Sequence, residues 1–468
     1  MRPRFSPARF FGAVAVASVP LVALVLIAQA SDDDYPYLVG RGKADVTGPA
    51  VGVQFFGFVR EDQISEGIHT RLFSRAFVVA DRQGANRIAF ASVDIGSITH
   101  AMHQEVVDRL RAKYGDVYSE SNVIVSATHT HSGPGGYWHY GTTGPIGSPF
   151  YQDHFDAIVQ GVADSIAQAH DDLQPGAIHL ATGTVKGAGA NRSVAAYLAN
   201  PESERAQYAT DTDEGMTLLK FTDASGDIGM VNWFASHPTA MTFFNRLISG
   251  DHKGRASELF ESEHGAGFVA AFAQSNAGDI TPNLNLNNTG PGKDDFETTD
   301  IIARRQFEVA RDIFGTAAEA LSGPIDIRHA YVAMGHTTVS DEFTGAGEQR
   351  TCPSAYGYAF AAGSTEDGGG HPLFREGMLT RNAMIDGTVK NQFGLPEPSD
   401  DCRDCHAPKV ILFAPGELDP PGQSQIVPIT LVRLGQVALV CMPGEVTTMA
   451  GRRLRGTVAQ ELGIEPSR

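Results

Sequence analysis

The sequence is poor in cysteine, tryptophan and positive charge. Among 468 residues there are four cysteines, two tryptophans and 36 lysines and arginines, against 54 aspartates and glutamates. The formal net charge is −18. Polyanion affinity rests on basic side chains, so an acidic excess of this size argues against a nucleic-acid binder. It also opposes adsorption to a bare anionic membrane, so a lipid would have to be drawn in by apolar contact. No low-complexity tract points to a disordered main body, and no internal repeat is present. Beyond the first 30 residues no apolar run is long enough to span a bilayer.

The first 30 residues stand apart. Arg2, Arg4 and Arg9 precede a stretch from Phe10 to Ile27 whose one polar residue is Ser18. Ala28-Gln29-Ala30 then has the small-x-small form of a cleavage site, and Asp32, Asp33 and Asp34 follow. This is the pattern of a secretory signal peptide over residues 1–30. It predicts a secreted protein, extracellular or periplasmic, cut near Ala30, with an uncleaved anchor as the competing reading. Loss of the three leader arginines takes the net charge from −18 to −21. Export permits a disulfide. Cys352, Cys402, Cys405 and Cys441 allow three full pairings, and sequence does not choose among them. Cys402-x-x-Cys405 beside His406 also resembles a redox, zinc or haem-attachment motif. A structural disulfide is the leading expectation, with Cys352–Cys405 the preferred pair.

Residues 31–468 read as alternating strands and helices, hence an α/β domain with a mixed sheet and surrounding helices. Strands are predicted at Leu72–Ala80, Arg87–Asp94, Asn122–Thr128, Met216–Thr222, Ile228–Phe234 and Phe268–Ala273. Helices are predicted at Met102–Tyr114, Phe155–Ala169, Lys253–Glu263, Ile301–Leu321 and Thr447–Leu462. Ile426–Arg433 and Gln436–Cys441 read as a hairpin. Between Phe343 and Asp404 the chain is rich in loops, and the run Gly363–Gly370 is either a flexible insertion or a wall over a pocket.

Polar residues gather where the strands end, the usual place for an α/β site. Thr128-His129-Thr130-His131 is followed by Ser132-Gly133-Pro134-Gly135-Gly136. Alternate residues of a strand face one side, so both imidazoles could line one cavity. A second apolar strand leads into His237, a third into Asp279 and Thr281, and a fourth into Glu445. Each alone has an ordinary structural reading: a hydrogen-bonded histidine, an Asx turn, a helix-start acid. Taken together, two histidines and a glutamate match the three protein ligands of a catalytic zinc site, whose ion lowers the pKa of water and polarises a carbonyl. Phe55, Phe56, Phe58, Tyr137 and Trp138 are either core or the lining of an acyl pocket.

Several strings then resemble the neutral ceramidase family: SATHTHSGPGGY (126–137), NRSVAAYLANP (191–201), NWFASHPTAM (232–241), LISGDHKG (247–254), AFAQSNAGDITPN (271–283), AAGSTEDG (361–368) and PGEVTTMAGRRLR (443–455). The resemblance runs from about Gly40 to the end. It implies hydrolysis of the N-acyl bond of ceramide, at a transient membrane or micelle surface, to sphingosine and a fatty acid. It implies a zinc ion on His129, His237 and Glu445, with His131 as an acid/base or supporting group and Arg192 near the substrate amide. The catalytic turn would contain Asp279 and Thr281, the latter standing where the family has serine. The family also has a tyrosine ligand some tens of residues after the glutamate and a C-terminal immunoglobulin-like domain. Only 23 residues follow Glu445 here, so the sequence reads as a catalytic domain incomplete at its C-terminal end. Two other functions fit the same residues: a zinc amidase on another N-acyl substrate, and an inactive lipid-binding fragment.

Overall fold

The computed structural model describes residues 35–140, 149–364, 366–393 and 396–466. The expected leader, residues 1–30, and Thr365 of the glycine run lie outside them. Eight strands form the main path of one large sheet: β1 (Tyr37–Asp45), β2 (Phe73–Asp81), β3 (Arg87–Val93), β4 (Val123–Ala127), β5 (Gln174–Thr184), β6 (Gly215–Asp223), β7 (Gly226–Phe234) and β8 (Val269–Gln274). Their order is β8-β7-β6-β5-β1-β2-β3-β4, with the short strand Glu319–Ala320 added beside β5. Pairing is parallel at the two ends, β7 with β8 and β3 with β4, and antiparallel between. A second sheet consists of β9 (Ile325–Ala333), β10 (Ile426–Leu434) and β11 (Val437–Cys441).

The helices that bear on the site are α1 (His100–Tyr114), α2 (Gln152–Asp171), α3 (Asp251–His264), α4 (Asp295–Thr316) and α5 (Thr448–Leu462). Parallel strands need a crossover, and α1 and α3 supply it for the two parallel pairs. α1 starts at Thr99, whose hydroxyl accepts from the Met102 amide, and ends at Gly115 with φ 70°. None of the described helices is long and apolar enough to cross a membrane.

Alternation along each strand sorts the interior into layers. On β2, Ala76 and Val78 join α1 and α2, whereas Phe77 and Val79 face the opposite way. On β7, Met230 and Phe234 pack with α3 and α4, whereas Val231 faces the side shared with Phe77. Phe77 stacks on Phe221 of β6 with ring centroids 4.4 Å apart, so the two halves of the sheet lie face to face. Such a stack contributes about 1 kcal/mol beyond its buried area. Helices therefore cover the outside of a folded-over sheet.

The expected α/β architecture and most element positions agree with this arrangement. One helix differs. The spacing predicted Ile301–Leu321, but α4 begins six residues earlier, where the Asp294 side chain caps the Glu297 amide, and ends at Thr316. Glu319 and Ala320 leave the helix to pair with His179 and Leu180 of β5. Strands β1, β5 and β9 were not anticipated. The preferred disulfide, Cys352–Cys405, is present, and Cys402 and Cys441 are free.

Candidate active site

Four strand exits meet at one end of the fold, and Gln274 ties three of them together. At the end of β8, its side-chain amide donates to Thr128 O beyond β4 and to Ser236 O beyond β7. Cross-links between the loops continue outward. The His131 amide donates to Pro238 O, the His237 amide to Ile280 O, and the Gly278 amide to Val446 O. His129 and His131 do face one cavity, though not by strand alternation. β4 ends at Ala127, and His129 sits at φ 75°, a left-handed turn that swings both rings inward.

The three histidines form a tight cluster. Ring centroids of His129 and His237 are 4.6 Å apart, and His131 lies 4.9 and 5.4 Å from them. Glu445 completes the group, with one oxygen 3.4 Å from His129 Nε2 and the other 3.3 Å from His237 Nε2. His131 Nε2 is 3.2 Å from His129 Nε2. His237 is buried and Glu445 is 56% exposed, so the centre opens to solvent on the carboxylate side.

Proton positions decide what this cluster can hold. His129 Nδ1 donates to Gly96 O at 2.6 Å, and His237 Nδ1 donates to Ala277 O at 2.7 Å. Each backbone carbonyl fixes the Nδ1–H tautomer, which leaves the Nε2 lone pair aimed at the centre. Burial lowers the pKa of His237 to about 4, and it lowers that of His131 well below the usual imidazole value. Neutral imidazoles then direct lone pairs at one another and at a carboxylate, an arrangement that calls for a cation between them. Tetrahedral zinc with ligands at about 2.0–2.1 Å sets neighbouring donor atoms about 3.3 Å apart, which matches the spacing here. Among the described residues, His129, His131 and His237 are the group whose ligand atoms approach closely enough to share an ion.

His252 and Gln306 support the cluster from behind. His252 Nε2 donates to His237 O, and the Gln306 amide donates to His252 Nδ1 at 2.8 Å. Lys253, fully buried, donates to Phe234 O and Ala273 O, the carbonyls at the ends of β7 and β8. Sequence reasoning passed over all three; for His252 and Lys253 the string LISGDHKG held the signal, as three ionisable residues in a row between glycines, and nothing marked Gln306.

Arg192 enters from the other side. Its Nη2 lies 3.1 Å from His237 Nε2 and donates to Gly278 O. Burial lowers its pKa, with Glu445, Asp367 and Asp279 nearby pulling the other way. No described carboxylate forms a salt bridge with it, so its remaining N–H groups are free to meet a ligand. Asp279 is committed to the scaffold: one oxygen accepts from the Thr448 amide and hydroxyl at the start of α5, the other from Asn191. Thr281 is fully buried, and its hydroxyl donates to Asp367 Oδ2 at 2.5 Å. Asp367 also accepts from Asn283 Nδ2 and the Asn288 amide. It lies in the glycine run, and Ser364 of that run donates to Arg192 O. The run is thus a wall against the site. Phe55 and Tyr137 are core, Phe56 and Trp138 pack against that core, and Phe58 faces His131.

Imidazoles and a carboxylate around an open centre, beside a buried guanidinium, are the equipment of a metal-dependent hydrolase on an α/β frame. Comparison with known proteins narrows the class. Residues 37–467 match the family model of neutral/alkaline non-lysosomal ceramidase, N-terminal. The neutral ceramidase of Oryza sativa subsp. japonica is 38% identical over 96% of this chain and 70% of its own length. That of Pseudomonas aeruginosa is 40% identical over 93% and 65%. A solved ceramidase complexed with C2 superposes with TM-score 0.83 at 40% identity, covering 92% of this chain and 67% of that one. The Pseudomonas aeruginosa crystal structure gives 0.79 at 37%, covering 92% and 66%. The chain belongs to the neutral/alkaline non-lysosomal ceramidase family, and it is a ceramidase-type hydrolase.

Proposed function

We propose that the chain, exported behind a leader over residues 1–30, hydrolyses the N-acyl amide bond of ceramide with zinc held by His129, His237 and Glu445. The observation that carries this reading is the convergence of Nε2 lone pairs and carboxylate oxygens, with the Nδ1 protons tied back to Gly96 and Ala277. A bound zinc ion would lower the pKa of water and polarise the amide carbonyl. The protein's side chains do the remaining work. Arg192 holds the carbonyl oxygen as negative charge develops there. His131 Nε2 takes the proton of the attacking water and passes it to the leaving nitrogen. The C–O bond forms first and places the charge on the carbonyl oxygen, and the C–N bond then breaks as that oxyanion collapses and the nitrogen takes the proton, releasing a fatty acid and sphingosine. Burial of Thr281 and its bond to Asp367 favour water over the threonine hydroxyl as attacking group. Thr281 instead fixes the turn that presents Gly278 O to Arg192, and Asp279 holds α5 in place.

The test is chelation with the metal content measured, followed by zinc return, on ceramides and on N-acyl amino acids. Activity should vanish with the metal, return with zinc, and favour ceramide. Full turnover by verified metal-free protein would overturn the zinc role, and preference for N-acyl amino acids would overturn the substrate.

A further inference from the structure

Two loops lie beside the buried His131, and each contributes aromatic rings that the hydrolytic step does not use. In the first, Gly57 lies so close that a Cβ there would meet the His131 ring at 2.4 Å. This approach sets the next side chain, Phe58, edge-on against His131 with centroids 4.7 Å apart. The second loop follows His237. Its Phe243 ring is 6.0 Å from Phe58, and Phe244 is 4.4 Å from Phe243. Exposure rises along the series: His131 is buried, Phe58 and Phe243 are half-buried, and Phe244 is 73% exposed.

The second loop is held firmly. The Thr242 amide and hydroxyl both donate to Asp295, the Met241 amide donates to Asp251, and Arg246 donates to Phe243 O. Arg60 lies over the Phe243 ring at 4.7 Å. An anchored loop therefore holds Phe244 against Phe243 while leaving most of its ring in water. Alkyl chains on an acyl amide need an apolar surface that begins at the reacting carbon and runs outward. Phe58, Phe243 and Phe244 provide one.

We infer that these three rings are the track for one alkyl chain of the substrate and that they set chain-length selectivity. This rests on the amide-hydrolase reading above and adds which residues grip the chain. Selectivity by an apolar wall is worth about tenfold or more for each methylene well placed against it.

The experiment compares wild type with Phe243→Ser, Phe243→Leu and Phe244→Ala on two substrate series. One varies the acyl chain from N-acetyl to N-palmitoyl, and the other varies the amine-side chain at fixed acyl length. Equilibrium binding of the same amides is measured beside turnover, and zinc content and Tm report the fold. Phe243→Ser and Phe244→Ala should cut the long-to-short ratio about tenfold in one series, with Phe243→Leu keeping most of it. The series affected identifies the chain. A ratio unchanged in both series, in binding as in turnover, overturns the track. Absence of turnover in wild type, with chain-length-dependent binding that Phe243→Ser removes, would sink the hydrolase reading and leave the track standing.

Discussion

Arg192 is one charged atom group on which the proposed chemistry leans heavily. It donates to Gly278 O and touches His237, yet forms a salt bridge with no carboxylate among the described residues. A guanidinium can brace a carbonyl and an imidazole at once, and an ammonium on a flexible stem cannot. Arg192→Lys should therefore lower kcat about 100-fold while zinc content stays at wild-type level. Steady-state kinetics with metal analysis checks this, and unchanged kcat would remove Arg192 from the oxyanion role. The same scale explains what a lone residue type conceals. His129 and His237 are equally ordinary in the sequence, and only tautomer-fixing carbonyls, contributed by the distant Gly96 and Ala277, turn them into aimed donors.

At the scale of elements, the catalytic turn and helix α5 are built as one unit. Asp279 receives the first turn of α5, and Gly278 packs under the loop that carries Glu445. A Cβ on residue 278 would lie 2.4 Å from Glu445 O, a backbone atom that cannot rotate away. Gly278→Ala should displace the carboxylate and weaken zinc binding about tenfold, as loss of a supporting contact does. Competition with a chelating dye measures it, and wild-type affinity would show that Glu445 is held independently. Elements with strong periodicity, such as α1 and α2, were legible in the sequence because a continuous apolar stripe has few alternative partners. β5 was not. Its sequence, Gln-Pro-Gly-Ala-Ile-His-Leu-Ala-Thr-Gly-Thr, has little strand patterning of its own and is made a strand by β1 and β6 on either side. The early end of α4 has the same origin, since pairing with β5 outweighs helix propensity after Thr316. Of the site, His129, His131, His237, Glu445 and Arg192 were legible through motif strings. Asp367, Gln274 and the His252–Gln306 pair were not, because their roles exist only once loops meet.

Two properties belong to the molecule as a whole. Cys352 and Cys405 close a loop of 53 residues around the wall that bears Asp367. By loop-closure entropy the bond contributes about 4 kcal/mol. Cys352→Ser should lose stability of that order in urea unfolding, and an unchanged midpoint would contradict it. The second property is pH response. Burial lowers the Lys253 pKa to about 7 from an ordinary lysine value of 10.5. Between those values the unfolded chain binds the extra proton, so the Lys253 contribution to stability rises with pH from about 7 to 10.5 and is flat below 7. Lys253→Met should lower stability overall, since it strands two carbonyls, but should remove that rise. Unfolding measured across the window tests the slope, and an identical slope in the variant would place the charge elsewhere.

The donors of the proposed centre enter the chain at His129, His237 and Glu445, each from a different loop. A nascent polypeptide released before the last of them carries an incomplete grip, whatever its partial folding. Tight metal occupancy would then serve as a gauge of finished assembly, and unfinished chains would leave the cell's zinc supply largely untouched.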